Sequence, residues 1–443
     1  MIRRSTPAST ARADGVGGEE MHALIRELFP ICRSITGDGV RETLRRLQHV
    51  APIEIHEVET GTPVLDWTVP NEWNVRDAWV KNTAGERVVD FRTNNLHVLN
   101  YSAPVHRTVS LAELKEHCFS LPEHPYWVPY RTSYYKEAWG FCLSARQLAA
   151  LPEGDYEVCV DSTLTAGHLT YGELYLPGRT GEDVLVSAHI CHPSLANDNL
   201  SGVVVAAYLA ALVSKRDRRL GYRFLFVPGT IGSITWLALH QDAVPSIRHG
   251  LVLAGVGDAG HVHYKKSRQG SAPVDRAVAH VLRQSGRRHD VAEFSPYGYD
   301  ERQYCSPGFD LAVGSLSRTP YGKYPEYHTS ADTPDFVKPE ALADSLSLCA
   351  DVCAVLEDDR SWLNCNPRGE PQLGRRGLYG AIGGNASAPE MEMALLWVLN
   401  LSDGQHTLLD IADRAGLEFG VVAHAARLLA AHDLLDLPEG ITP

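Results

Sequence analysis

The sequence predicts an α/β protein in three parts: a doubly wound sheet, a β-rich insertion within it, and a C-terminal winged helix-turn-helix. Three observations predict it. From 178 to 357 short apolar runs alternate with stretches of helical periodicity, the rhythm of strands joined through helices. From 61 to 161 that rhythm gives way to strand-like runs carrying Trp67, Trp73, Trp79, Trp127 and Trp139. Beyond 388 come three short helical segments, a turn at Ala415-Gly416 and a leucine-rich strand, a pattern that resembles a winged helix-turn-helix.

Taken in order, residues 1–18 are basic at the start and rich in small residues, without the apolar core of a signal peptide, and read as a disordered lead-in. Met21, Leu24, Ile25 and Leu28, then Val40, Leu44 and Leu47, recur at helical spacing, broken by Pro30 and the Thr36-Gly37-Asp38 turn. Two helices follow from this. Alternation at Ile53, Ile55 and Val58 predicts a strand, and further strand-like runs lie at 79–80, 88–91 and 96–99. The tryptophans read as packing residues ahead of ligand-stacking ones. After Gly178, strands are expected over 184–188, 222–227, 250–256 and 311–315, and helices over 201–214, 232–241, 273–285 and 339–357. Cys349 and Cys353, one turn apart on the last helix, read as buried apolar residues. The expected organisation is 19–60 with 162–363 as the α/β domain, 61–161 as the insertion, 364–387 as a linker with Pro367 and Pro371, and 388–443 as the winged unit.

Charge and composition narrow the functional classes. The 443 residues are 44% hydrophobic, enough for packed cores, and carry 54 acidic against 41 basic residues, so nothing draws the whole chain to nucleic acid or anionic membrane. From 391 to 443 only Arg414 and Arg427 oppose eight acidic residues, a net charge of -6, and the presumed reading helix over 418–431 offers one arginine. A packing or protein-contact module is expected there, with no nucleic acid or membrane as partner and a homo-oligomer left open. The nine cysteines are scattered, odd in number and without a CxxC pair, which fits a reducing cytoplasm and neither a disulfide framework nor a zinc ribbon. No run of about 18 apolar residues is expected to span a membrane.

The chemistry is expected where the 184–188 strand ends. His189 follows it directly, with His192 and Asp198 in the next loop. Open α/β sheets place ligands at the carboxyl ends of their strands, and imidazole and carboxylate are zinc-binding groups. The competing role for Asp198, inside Asn197-Asp198-Asn199, is a helix cap or Asx turn. A later turn-rich loop places His328 where a third ligand can converge.

The succession AHICHPSLANDNLSG, YRFLFVPGTIGSITWL and YGYDERQYCSPGFDLAVGSLSRTPYGKYPEYHTSADTPDF resembles a bacterial family of zinc aminopeptidases related to the co-catalytic zinc exopeptidases. TPVLDWTVPNEWNV and TLTAGHLTYGELYLPG are similar to further segments of that family, so the likeness covers nearly the whole chain. It implies a zinc exopeptidase-like domain with a β-rich insertion and a winged helix. It also implies His189, Asp198 and His328 as metal ligands, with His192 or Cys191 as a further ligand or support for one. The implied activity is metal-assisted hydrolysis of an amide bond, with a small peptide or an aminoacylated metabolite as substrate.

Two departures from the family stand out. Where a glutamate is expected the chain reads Pro228-Gly229-Thr230-Ile231-Gly232, and Leu253-Ala254-Gly255 lacks an aspartate for a second ion. One zinc is therefore expected, and the catalytic base must come from elsewhere. Asp300, Glu301 and Glu326 are the candidates, with Asp258 of similar weight; capping or pairing with Arg302, Arg318 or Lys323 is their competing role. Arg318, Tyr324 and Tyr327 are candidate substrate contacts, and Tyr299, Tyr324 and Tyr327 candidate donors to an oxyanion. The alternative readings are a metal-binding homologue with altered or no peptidase action, and a regulator working through its winged helix.

Overall fold

The computed structural model describes residues 17–378 and 388–438. Most of the expected lead-in (1–16), residues 379–387 of the expected linker and the last five residues lie outside the described residues. Eight strands form the principal sheet: β1 (Glu54–Glu59), β2 (His168–Leu176), β3 (Asp183–His189), β4 (Gly221–Val227), β5 (Ile247–Leu253), β6 (Val262–Lys265), β7 (His289–Ala292) and β8 (Val313–Ser317). Their spatial order is β1-β2-β4-β3-β5-β8-β6-β7. The centre, β4-β3-β5-β8, is parallel, while β2 and β6 join it antiparallel on either side.

Every residue of β3 and β4 is buried, because helices or the insertion cover both faces of the sheet. The two faces follow the period of two. Val184, Val186 and Ala188 pack with the helices Gly18–Leu28, Gly202–Ser214, Pro273–Gln284 and Pro339–Asp358, whereas Leu185 faces the helix Ile231–Leu239 and the insertion. Each fully buried Val or Leu contributes about 1.5–3 kcal/mol to holding these layers together. The segment Ala196–Ser214 is long and apolar enough to cross a membrane, contrary to the expectation of no such stretch; it is the core helix between these layers, with 94% of its apolar window buried.

The strand expected over 250–256 ends at Leu253, because Gly255 turns the chain through a left-handed φ of 64°. Within the insertion, Arg87–Asp90, Glu72–Lys81, Asp155–Thr165 and Val105–Ser110 form a four-stranded antiparallel sheet in that order. The expected strand over 96–99 is instead a 3-10 turn, Asn95–His97, nucleated by the Asn94 side chain accepting from the Leu96 amide at 2.9 Å. Trp73 and Trp79 are buried, whereas Trp67 is 44% exposed. The insertion's sheet shares its core with the principal sheet: Trp73, Val80 and Tyr156 pack in the same cluster as Leu185 and Leu225.

The C-terminal unit contains the helices Ala388–Leu401, Leu408–Ala415 and Phe419–Ala431. Its sheet takes Ser361–Asn364 as the central strand between Asp403–Thr407 and Leu435–Asp436, so the unit begins before the expected boundary at 388. Leu373 and Leu378, in the expected linker, are buried in the core. Gly416 ends the middle helix in the left-handed conformation, as the Ala415-Gly416 turn predicts. The unit docks on helix Pro273–Gln284 through Arg276–Asp410 and Arg283–Asp413 ion pairs, each 2.6 Å.

Candidate metal centre

His189 is the last residue of β3, at the carboxyl edge of the parallel strands. Asp198 lies in the segment Ala196–Ser201 that leads into the following core helix. The amides of Asn197 and Asp198 and the side chains of Asn197 and Asn199 are paired, which lets this buried polar segment stand. The Asp332 carboxylate accepts from the Asn197 amide at 2.6 Å and from the Asp198 amide at 2.9 Å. Asn199 donates to the Leu253 carbonyl at 2.8 Å and accepts from the Gly255 amide at 3.0 Å, which laces the loop to the end of β5. His328 arrives from a separate loop with a left-handed φ of 56°, its carbonyl accepting from the Tyr130 amide at 2.7 Å.

These elements bring three imidazoles around one carboxylate. Asp198 Oδ1 lies 2.9 Å from His189 Nε2, and Asp198 Oδ2 lies 2.9 Å from His328 Nε2. His192 Nδ1 stands 3.9 Å from the first oxygen. The ligand atoms of His189, His192 and Asp198 all fall within 4.8 Å of one another. Asp198 Oδ2, His328 Nε2 and His192 Nδ1 are buried and make no hydrogen bond. Burial raises the Asp198 pKa, but the His192, His189 and His328 imidazoles outweigh it and hold the carboxyl well below its usual range. Burial pulls the His192 imidazole well below its usual pKa, leaving it neutral and fit to bind a cation. A divalent cation satisfies such a set of unpaired donors, and nitrogen with carboxylate oxygen is a zinc-type set.

A narrow cleft opens on His189 and Asp198, walled by Tyr299, Tyr321, Tyr324 and Tyr327. The insertion adds its own wall. Tyr130 packs edge-on against His192 and His328, at 5.1 and 5.0 Å between ring centroids, and its hydroxyl meets that of Tyr134 at 2.8 Å.

Two family models match the chain: a domain of unknown function (DUF4910) over residues 22–359, and a winged helix-turn-helix over residues 360–437. The chain belongs to the first family. An inferred polysaccharide biosynthesis protein with an aminopeptidase-like domain, from Clostridium acetobutylicum, is 50% identical over 420 residues, spanning 95% of this chain and 96% of the relative. A crystal structure of an inferred peptidase from the same organism is 48% identical, with a TM-score of 0.90 over 95% of this chain and 96% of the other. A zinc aminopeptidase from Bacillus subtilis is 14% identical with a TM-score of 0.56, covering 78% of this chain and 96% of that one. This last likeness shows the aminopeptidase fold.

Within this aminopeptidase-like family member, several expected site residues have other tasks. Glu301 is buried in an ion pair with Lys265 at 2.5 Å, and its second oxygen accepts from the Tyr299 amide at 3.0 Å. It braces a loop. Asp300 accepts from Ser233 Oγ at 2.7 Å, and burial pushes its carboxyl up to about 6. Asp258 accepts from Asn197 and Thr319, another brace. Arg318 turns away from the cleft to Asp344 at 3.0 Å and the Gly260 carbonyl at 2.8 Å, so it is no substrate contact here. The Glu326 backbone carbonyl accepts from Thr329, its carboxylate is in no ion pair among the described residues, and it does not line the cleft. Tyr324 and Tyr327 do line the cleft. Cys191 faces the Gly229 carbonyl at 3.8 Å and the Tyr299 hydroxyl at 3.5 Å, burial pushes its thiol up to about 12, and its sulfur is not in the group of ligand atoms that His189, His192 and Asp198 form.

Tyr130 and Asp332 touch the candidate centre, and periodicity misses both. Asp332 sits four residues after His328, where an acid close to a candidate ligand is a usable signal; Tyr130 lies in the insertion with no local signal at all.

Proposed function

We propose that the chain is a metal-dependent, aminopeptidase-like amide hydrolase holding one zinc ion through His189, Asp198 and His328, with His192 adjoining. The observation that carries the reading is the Asp198 carboxylate, flanked by two imidazole nitrogens at 2.9 Å, with buried polar atoms around it left without hydrogen bonds. A bound zinc ion supplies Lewis acidity toward a carbonyl and lowers the pKa of a bound water.

The chain's own residues do the rest. Burial keeps the hydroxyls of Tyr299, Tyr324 and Tyr327 protonated, by pushing their pKa upward, so they donate hydrogen bonds to a substrate carbonyl and its developing oxyanion. Of the expected bases, Glu301 is paired with Lys265 and Asp258 with Asn197 and Thr319, while Asp300, bonded to Ser233 through one oxygen, keeps its buried Oδ2 without a hydrogen bond and is the carboxylate assigned here to move a proton. Gly229 favours a second reading, a metal-binding homologue that does not cut ordinary peptides. The Clostridium relative is named for polysaccharide biosynthesis, which supports an aminoacylated sugar over a peptide as the small-molecule substrate.

The winged unit acts as a packing module in this reading and takes no nucleic acid: its net charge over 391–443 is -6, and Arg427 is already paired with Asp358 at 2.9 Å. The nine unpaired cysteines suit a reducing cytoplasm. The test is metal analysis of the purified chain with hydrolysis of an aminoacyl-amide and aminoacyl-sugar panel. About one zinc per chain is expected, with its loss in both His189→Ala and His328→Ala; full zinc in both variants overturns the ligand assignment.

A further inference from the structure

We propose that Tyr299 and Gly229 work as one unit that sets the orientation of the His189 imidazole, with Tyr299 a positioning residue whose ring fits only because residue 229 has no side chain. The proposal rests on the reading of His189 as a metal ligand.

A metal-binding imidazole ordinarily has its other nitrogen fixed by a carboxylate or carbonyl. His189 lacks that support. Its Nδ1 meets only the Asn199 amide nitrogen, at 3.3 Å, a group already given to the Leu253 carbonyl at 2.8 Å. Apart from the Asp198 contact at Nε2, what restrains the ring is packing against Tyr299, 3.8 Å away between centroids and tilted by 36°.

Tyr299 is itself held at both ends. Its amide donates to Glu301, whose other oxygen is paired with Lys265, and Lys265 also donates to the Tyr297 carbonyl at 2.9 Å. Its hydroxyl rests against Cys191 Sγ at 3.5 Å. Between these anchors the ring passes over Gly229. A Cβ at position 229 would lie 2.0 Å from Tyr299 Cε1, 2.7 Å from Cζ and 2.8 Å from the hydroxyl oxygen, all parts of a rigid ring. Gly229 is outside the positive-φ region, so its backbone accepts an L-residue and any cost of a side chain there falls on the ring.

The test is a double-mutant cycle on zinc affinity, read by competition with a chromophoric chelator. Gly229→Ala and Tyr299→Ala are each expected to weaken zinc binding by roughly 10- to 100-fold, the usual effect of losing a group that orients a ligand. The double variant is expected to be no weaker than Tyr299→Ala alone, because the alanine at 229 then has nothing to displace. Tyr299→Phe keeps the ring and is expected to keep the affinity. The visible spectrum of the cobalt(II)-substituted protein is expected to shift in Gly229→Ala and not in Tyr299→Phe. If Tyr299→Ala does not fold, Tyr299→Leu serves as the ringless background. Unchanged affinity in Gly229→Ala, or a loss that persists undiminished without the ring, overturns the proposal while the metal site stands. A wild-type chain that binds no zinc removes the metal reading and this proposal together.

Discussion

Asp198 Oδ2 and His328 Nε2 lie 2.9 Å apart and share no hydrogen bond, although both are buried. Two strong polar groups held this close without bonding are costly unless something else sits between their lone pairs. Added zinc should therefore stabilise the fold, by about 4 kcal/mol at a thousandfold excess over its Kd. Scanning calorimetry should show a rise in Tm with zinc for the native chain and none for His328→Ala. A zinc-dependent rise that survives in His328→Ala would place the ion elsewhere.

Asp332 gives the Asp198 segment its shape by accepting from two successive backbone amides, Asn197 and Asp198. Asp332→Ala should orphan both donors at a cost of about 1–3 kcal/mol each, and should loosen the carboxylate those amides flank. Asp332→Asn keeps one acceptor and should lose about half as much. Urea unfolding of the three proteins checks the order, and an alanine variant as stable as the native chain would remove Asp332 from the brace.

Much of this was legible from the sequence for physical reasons. The strand ending on His189 is apolar throughout because both faces of a central parallel strand are covered, and its end marks the edge where ligands gather. The fate of the nearby charges was not legible. Glu301 is consumed by Lys265 on β6, a four-residue strand too short for its period to be read, and Arg318 by Asp344 on a distant helix. Tyr130 reaches His328 through pairing between Pro129 and Thr329, a contact that no local pattern encodes. Ser361–Asn364 was likewise hidden, since a four-residue strand acquires its meaning only from partners that follow it by some 40 to 70 residues.

Acid should loosen the seam between the insertion and the α/β domain. Arg41 binds both oxygens of Glu72 at 2.7 Å and also Glu57, so the start of the insertion's strand Glu72–Lys81 is tied to a domain helix and to β1. The hydrogen bonds from Arg41 hold the Glu72 carboxyl down at about 2, below its ordinary value of 4.5. A depressed carboxyl contributes stability that is present above the unfolded-state pKa and is lost as pH falls through the folded value, here from about 4.5 toward 2. Urea midpoints followed by tryptophan fluorescence should fall between pH 6 and pH 3 in the native chain and fall less in Glu72→Gln. Parallel pH dependence in the two proteins would remove Glu72 from the account.

The winged unit is locked by a histidine with both nitrogens in use. His280 is buried, with Nδ1 at 2.7 Å from Asp413 and Nε2 accepting from the Phe419 amide at 3.2 Å, which fixes the neutral tautomer with its proton on Nδ1. That accepting bond caps the first turn of Phe419–Ala431, the helix that would enter a groove if this unit read DNA. Removing the imidazole leaves a buried amide without its acceptor, at a cost of about 1–3 kcal/mol. His280→Ala should therefore become sensitive to limited proteolysis within 360–378 under conditions in which the native chain resists. Neither protein should bind duplex DNA in a salt-dependent way near 0.15 M, because the exposed face of that helix offers one arginine already paired with Asp358. Binding by His280→Ala alone would mean that docking conceals a nucleic-acid surface, and the packing role assigned to the unit would have to be given up.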